Sequence, residues 1–102
     1  MSKTIGIFEQ KDDGYIGTIN MLNHRLGGIR FVPVEAKRSA ESPDYLVQID
    51  GVELGVGWKA TSQAGNSFVR VLLDDPSFPA ALNANLVEGR DGRFNLLWSR
   101  RT

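Results

Sequence analysis

Apolar and polar residues alternate along this chain in runs that never exceed about ten residues before glycine, proline or aspartate interrupts them, which is the pattern of many short strands. Eight such runs are predicted as strands, near residues 5–9, 15–21, 28–35, 44–50, 52–60, 67–73, 82–88 and 93–99. An amphipathic helix would repeat its apolar positions every three or four residues, and no segment sustains that period. Residues 75–78 allow at most one helical turn: Asp75 caps its start, Pro76 suits the first helical position, and Pro79 stops it.

Pairing registers follow from the turn residues, because a slip of one residue would carry every apolar side chain to the wrong face. Asp50-Gly51 suits a two-residue type I′ turn that sets Ile49 opposite Val52, Val47 opposite Leu54 and Tyr45 opposite Val56. Asp12-Asp13-Gly14 suits a three-residue loop with glycine in the left-handed position, setting Ile7 against Ile19 and Ile5 against Met21. A four-residue loop at Ser62-Gln63-Ala64-Gly65 sets Trp58 against Val69, Val56 against Val71 and Leu54 against Leu73. Turning through Gly89-Arg90-Asp91-Gly92 brings Leu86, Ala84 and Leu82 to face Phe94, Leu96 and Trp98. Consecutive hairpins in so short a chain predict an all-β fold, an antiparallel meander of about seven to eight short strands closing into a small barrel or compact sandwich, since closure protects the edges. Residues 1–102 are expected to make a single β domain, with 1–4 as a flexible tail.

Composition narrows the chemistry more than the fold. A chain of 102 residues suffices for one core and buries about two-thirds of its unfolded surface without disulfide or structural metal. It has no cysteine and one histidine, His24, which removes thiol nucleophiles, CxxC redox pairs and cysteine-ligated metals. Twelve basic and twelve acidic side chains give zero net charge, which argues against a partner held by a broad field, such as duplex DNA or an anionic membrane. That zero averages over clusters. Arg25, Arg30, Lys37 and Arg38 oppose only Glu35, and Arg90, Arg93, Arg100 and Arg101 oppose only Asp91, while Glu41, Asp44, Asp50 and Glu53 form an acidic stretch. The first residues lack an apolar segment of signal-peptide length, and no apolar run approaches the roughly 20 residues of a spanning helix, so a cytoplasmic protein without a membrane partner is expected.

No catalytic constellation is visible. Gly51, Gly55 and Gly57 lack the spacing of a phosphate loop or dinucleotide fingerprint and open no helix. Asp12-Asp13 and Asp74-Asp75 sit beside glycine or proline, where aspartate stabilises turns by bonding its own backbone. Nothing spaced nearby converges on them to make a metal or glycosidase site. His24 reads as a loop residue with neither ligand nor base role, and Ser77 and Ser99 have no activating partner. No catalytic residue, metal or cofactor is expected, and an enzyme of unrecognised type stands as the third functional alternative.

One surface stands out. On the opposite face of the 44–73 hairpins these registers bring Leu46, Gly55 and Leu72 into one row, Asp44, Gly57 and Arg70 into the next, and Lys59 and Phe68 into a third. Two outward glycines would leave a trough flanked by Leu46, Phe68 and Leu72, with Arg70 and Lys59 at one end, suited to a partner protein or a second copy. The structural alternative is that the glycines mark barrel bending and that 74–81 covers the trough. Single-stranded nucleic acid is the other alternative, with Phe68 and Trp58 stacking bases while Arg70 and Lys59 meet phosphates. Against that, both Trp58 and Trp98 fall on the inward face in these registers, which makes them core anchors.

The blocks Ile5-Gly-Ile-Phe-Glu-Gln-Lys-Asp-Asp-Gly-Tyr-Ile-Gly-Thr-Ile19, Arg30-Phe-Val-Pro-Val-Glu35, Ser42-Pro-Asp-Tyr45 and Leu73-Asp-Asp-Pro-Ser-Phe-Pro79 resemble domain-of-unknown-function family 736, small uncharacterised bacterial proteins. Gly57-Trp-Lys59, Ala84-Asn-Leu86 and Leu97-Trp98 continue the resemblance, while the 21–28 loop with His24 departs from it. The resemblance implies a proteobacterial cytoplasmic protein, often encoded on plasmids or integrative elements near conjugative-transfer genes, and brings no activity with it. The expected function is a non-enzymatic protein-interaction module in an accessory role of mobile genetic elements, binding a protein partner or forming a homo-oligomer. Leu46, Gly55, Gly57, Lys59, Phe68, Arg70 and Leu72 are its candidate binding residues. Weak single-stranded nucleic-acid binding by a β-barrel is the runner-up.

Overall fold

A computed structural model describes residues 2–22, 25–36 and 38–99. The expectations placed on Met1, His24, Lys37, Arg100 and Arg101 lie outside them. Eight strands follow one another: β1 (Ser2–Lys11), β2 (Gly14–Asn20), β3 (Arg25–Pro33), β4 (Tyr45–Ile49), β5 (Val52–Thr61), β6 (Ser67–Leu73), β7 (Leu82–Glu88) and β8 (Phe94–Ser99). Each pairs antiparallel with the next and β8 closes on β1, so the meander is a barrel and not a sandwich, and none of the described strands is an edge strand. Ser2, Lys3 and Thr4, expected in a tail, pair with Ser99, Trp98 and Leu97.

No helix occurs among the described residues. At 75–78 the backbone makes a single turn: the Phe78 N–H donates to the Asp75 carbonyl oxygen at 2.9 Å, and the Asp75 carboxylate accepts the Ser77 N–H at 2.9 Å. Asp75 thus caps a turn that Pro79 keeps from becoming a helix. The 74–81 connection lies across one end of the barrel and buries Phe78 in the core.

Phe8, Ile19, Ile29, Phe31, Val47, Leu73, Leu86 and Leu96 fill the barrel and are removed from solvent. Eight strands enclose an interior just wide enough for side chains to fill, and here edge-to-face rings do much of the filling, Phe8 on Phe31 with centroids 5.2 Å apart.

Turn chemistry set the registers, in several places one residue away from expectation. The Asp50-Gly51 turn forms with both residues left-handed, φ 50° and 81°, and Ile49 pairs with Val52. Beyond Gln48 and Glu53, however, a β-bulge inserts Leu54 into β5, and the partners become Val47 with Gly55, Leu46 with Val56 and Tyr45 with Gly57. The following hairpin carries the shift onward. Its Ser62 N–H donates to the Asn66 carbonyl oxygen at 2.8 Å, leaving Gln63-Ala64-Gly65 as a three-residue loop with Gly65 at φ 87°, in place of the four-residue loop. Gly55, Gly57 and Lys59 therefore pair with Leu73, Val71 and Val69, while Trp58 pairs with Arg70.

The first hairpin turns on Asp12-Asp13 alone, with Asp12 at φ 56° and Lys11 paired to Gly14, so Ile7 meets Thr18 and faces outward while Gly6 meets Ile19. In the last, Gly92 at φ 80° ends a three-residue loop and the pairing is two residues from expectation, Leu86 meeting Leu96 in place of Phe94 and Ala84 meeting Trp98 in place of Leu96; a shift of two keeps the expected apolar face.

Candidate functional site

The registers across β4 to β8 place three rows on the outside of the barrel. Leu46, Val56, Leu72 and Asn83 form the first, Trp58, Arg70, Asn85 and Leu97 the second, and Ala60 with Phe68 the third. Of the expected binding residues, Leu46, Phe68, Arg70 and Leu72 share this face. Gly55, Gly57 and Lys59 do not: they lie on the inward side with the buried Val69, Val71 and Leu73. The glycine trough is thereby corrected. Val56 fills the place between Leu46 and Leu72 that Gly55 was expected to leave open, and Gly55 instead sits where β5 passes so close to β6 that a Cβ would strike the Leu72 carbonyl oxygen. What the backbone shows at Gly55 is close approach to β6 directly after the irregularity in the β4 to β5 pairing.

Trp58, expected in the core, is on the outer face and half-buried. Its indole N–H donates to the Glu41 carbonyl oxygen at 3.0 Å, which holds the 34–44 connection against it. The Arg70 guanidinium carbon lies 5.7 Å from the ring centroid, in cation–π contact. Beside this pair a cleft of about 600 Å³ runs between Trp58, Phe68, Leu72, Asn85 and Leu97. Trp98 does pack against the core, as expected.

The misplacement of Trp58, and with it the missed Val56, has a definite origin, whereas Asn83, Asn85 and Leu97 were missed because the expected surface stopped at β6. Along β5 the inward set after the bulge reads Gly55, Gly57 and Lys59, and the outward set Val56, Trp58 and Ala60. Hydropathy alternation alone assigns these the other way round. The available signal was Gly65, whose third position in a loop is the left-handed site of a three-residue hairpin.

At the end of the barrel opposite Phe78, Lys59 points into an aromatic mouth, its Nζ 5.8 Å from the Tyr45 ring centroid. Its backbone N–H donates to the Asp44 carboxylate at 2.8 Å, which fixes the strand there. Tyr15 packs on Tyr45 with centroids 5.8 Å apart and on Phe94 at 4.9 Å. Burial holds the hydroxyls of both tyrosines above the ordinary pKa of 10.0, and for Tyr15 the adjacent Tyr45 adds to the effect. The neutral form is thus favoured on folding, so this contribution to stability is whole below about pH 10 and is lost as pH rises through the raised values. The urea midpoint is expected to fall above about pH 10 as phenolate absorbance grows, with a shallower fall in Tyr15→Phe. A midpoint that stays level while the phenolates form would contradict it.

Among the described residues no three histidine, aspartate or glutamate side chains are placed to hold a metal ion, and no helix is long and apolar enough to cross a membrane. The sequence profile described as protein of unknown function (DUF736) matches residues 4–101. The chain belongs to the DUF736 family. No curated protein and no solved structure matches it. DUF736 membership covers the whole barrel from Thr4 onward and adds no substrate or partner, so a functional reading rests on the two surfaces just described.

Proposed function

We propose that this DUF736 protein is a non-enzymatic interaction module that pairs with a second copy of itself through the outer face of β5 to β8. One observation carries the reading: in the three outward rows Arg70 is the only charged side chain, and its guanidinium is already held over the Trp58 ring. Interface cores are depleted of charge and enriched in tryptophan, phenylalanine and arginine. A twofold axis sets one patch against its own copy, residue i on j and j on i, so a patch whose one cation is already engaged by its own tryptophan has little like charge to bring together. Asn83 and Asn85 supply amides that both donate and accept, so the face can satisfy itself. A dimer of ordinary size takes about 800 Å² from each partner, roughly a tenth of this chain's 7253 Å². In this proposal any accessory role for mobile genetic elements is served by the assembled face.

Single-stranded nucleic acid fits less well, because Lys59, one of the two expected phosphate contacts, points into the barrel. Light scattering after gel filtration at high micromolar concentration is expected to give twice the chain mass for the wild type and the single chain mass for Leu72→Asp. A wild type that is monomeric there overturns the reading, and salt-sensitive oligonucleotide binding by that monomer would assign the face to nucleic acid.

A further inference from the structure

We propose that the open mouth of the barrel binds a free α-amino acid with an aromatic or large apolar side chain, its carboxylate on Lys59 and its ammonium on Glu88. A cavity of about 540 Å³ opens there, bounded by Lys59, Glu88, Gln10, Tyr15, Tyr45 and Phe94. Its floor is apolar, made by Val69 and Leu86, both buried. Mouths of β-barrels are recurrent small-ligand sites, apolar with a few placed polar groups.

The two charges select the ligand. Lys59 on β5 pairs with Val69 on β6, which pairs with Leu86, and Glu88 stands two residues further along β7 on the same inward side. They are two strands apart and two residues out of register, about 12 Å between Cα atoms at ordinary strand spacing and rise; both are exposed and no ion pair joins them. Both side chains line the same cavity and bear with opposite sign on the Tyr15 hydroxyl, so a ligand seated on that ring has a cation and an anion within reach. A purely anionic ligand would face Glu88, and a purely cationic one Lys59. A zwitterion meets both with the right sign. Its side chain then descends onto Tyr15 and Phe94, whose rings stand at 65° and offer one face and one edge.

The test is a titration followed by the tyrosine ring resonances, using L-phenylalanine, its amide and its N-acetyl derivative on the whole chain. Saturable shifts are expected with L-phenylalanine at up to about 10 mM, with both derivatives at least about tenfold weaker. Lys59→Met should remove the discrimination against the amide, and Glu88→Gln the discrimination against the N-acetyl compound. Absence of saturable shifts with L-phenylalanine overturns the proposal, as does equal binding of all three compounds by the wild type, a result that needs no variant to fold. Variants that fold with the wild-type unfolding midpoint and keep the wild-type selectivity overturn the assignment of the two charges.

Discussion

Replacing Gly55 by alanine is expected to destabilise the barrel by at least about 3 kcal/mol, the upper part of the range for overpacking, because the atom that must give way is backbone. The added Cβ would strike the Leu72 carbonyl oxygen and crowd the Leu73 Cα, and neither can move without breaking the β5 to β6 ladder. The sign is informative. Were Gly55 on the floor of an outward trough, alanine would be harmless or mildly stabilising, since glycine in a strand interior is itself unfavourable by about 0.5–1 kcal/mol. Gly27→Ala is the matched control: its Cβ would meet only the Thr18 methyl at 3.9 Å, and its effect should stay within about 0.5 kcal/mol. Urea denaturation of the two variants beside the wild type measures both, and a Gly55→Ala midpoint equal to that of Gly27→Ala would show β5 to be in the other register.

Truncating Phe8 to alanine is the second large effect. Phe8 is fully buried, pairs with Gly17 on one side and Phe94 on the other, and stands edge-on to Phe31 at 81°. Removing a ring from a close-packed interior costs about 3–5 kcal/mol. A domain of this size holds on the order of 5–15 kcal/mol in all, so Phe8→Ala should lose about a fifth or more of its stability and Phe8→Leu distinctly less. Thermal unfolding followed by circular dichroism checks this. A loss below about 1 kcal/mol for Phe8→Ala would mean that the ring is not at the centre of the core.

Much of this barrel was legible in the sequence, and what was not has local causes. Strand number and places followed from period-two alternation broken by Gly, Pro and Asp, and closure from the need to protect edges. The Asp50-Gly51 turn formed as its residues require, and the inward face of β7 and β8 came out as expected. What alternation could not show was the bulge at Leu54, since an inserted residue reverses every later side chain while leaving the hydropathy pattern readable in either sense. The error then propagated through β5, exchanging Gly55, Gly57 and Lys59 with Val56, Trp58 and Ala60. Residues on β4 and β6, outside that stretch, kept their expected face, which is why Leu46, Phe68, Arg70 and Leu72 survive as a set. The mouth went unseen for the same reason: with Lys59 turned outward, nothing in the sequence brings it to Tyr45.

Because the chain has no cysteine, a single introduced thiol reports on pairing without interference. Asn85 lies in the middle of the outer face, between Arg70 and Leu97, whereas Thr18 is exposed on β2, across the barrel from β6. The most direct measurement is crosslinking of Asn85→Cys and Thr18→Cys by a short bismaleimide, read as covalent dimer on a denaturing gel. Pairing through the β5 to β8 face predicts efficient dimer from Asn85→Cys, little from Thr18→Cys, and loss of the Asn85→Cys dimer when Leu72→Asp is added. Equal yields from the two sites, or an Asn85→Cys yield indifferent to Leu72→Asp, would contradict it.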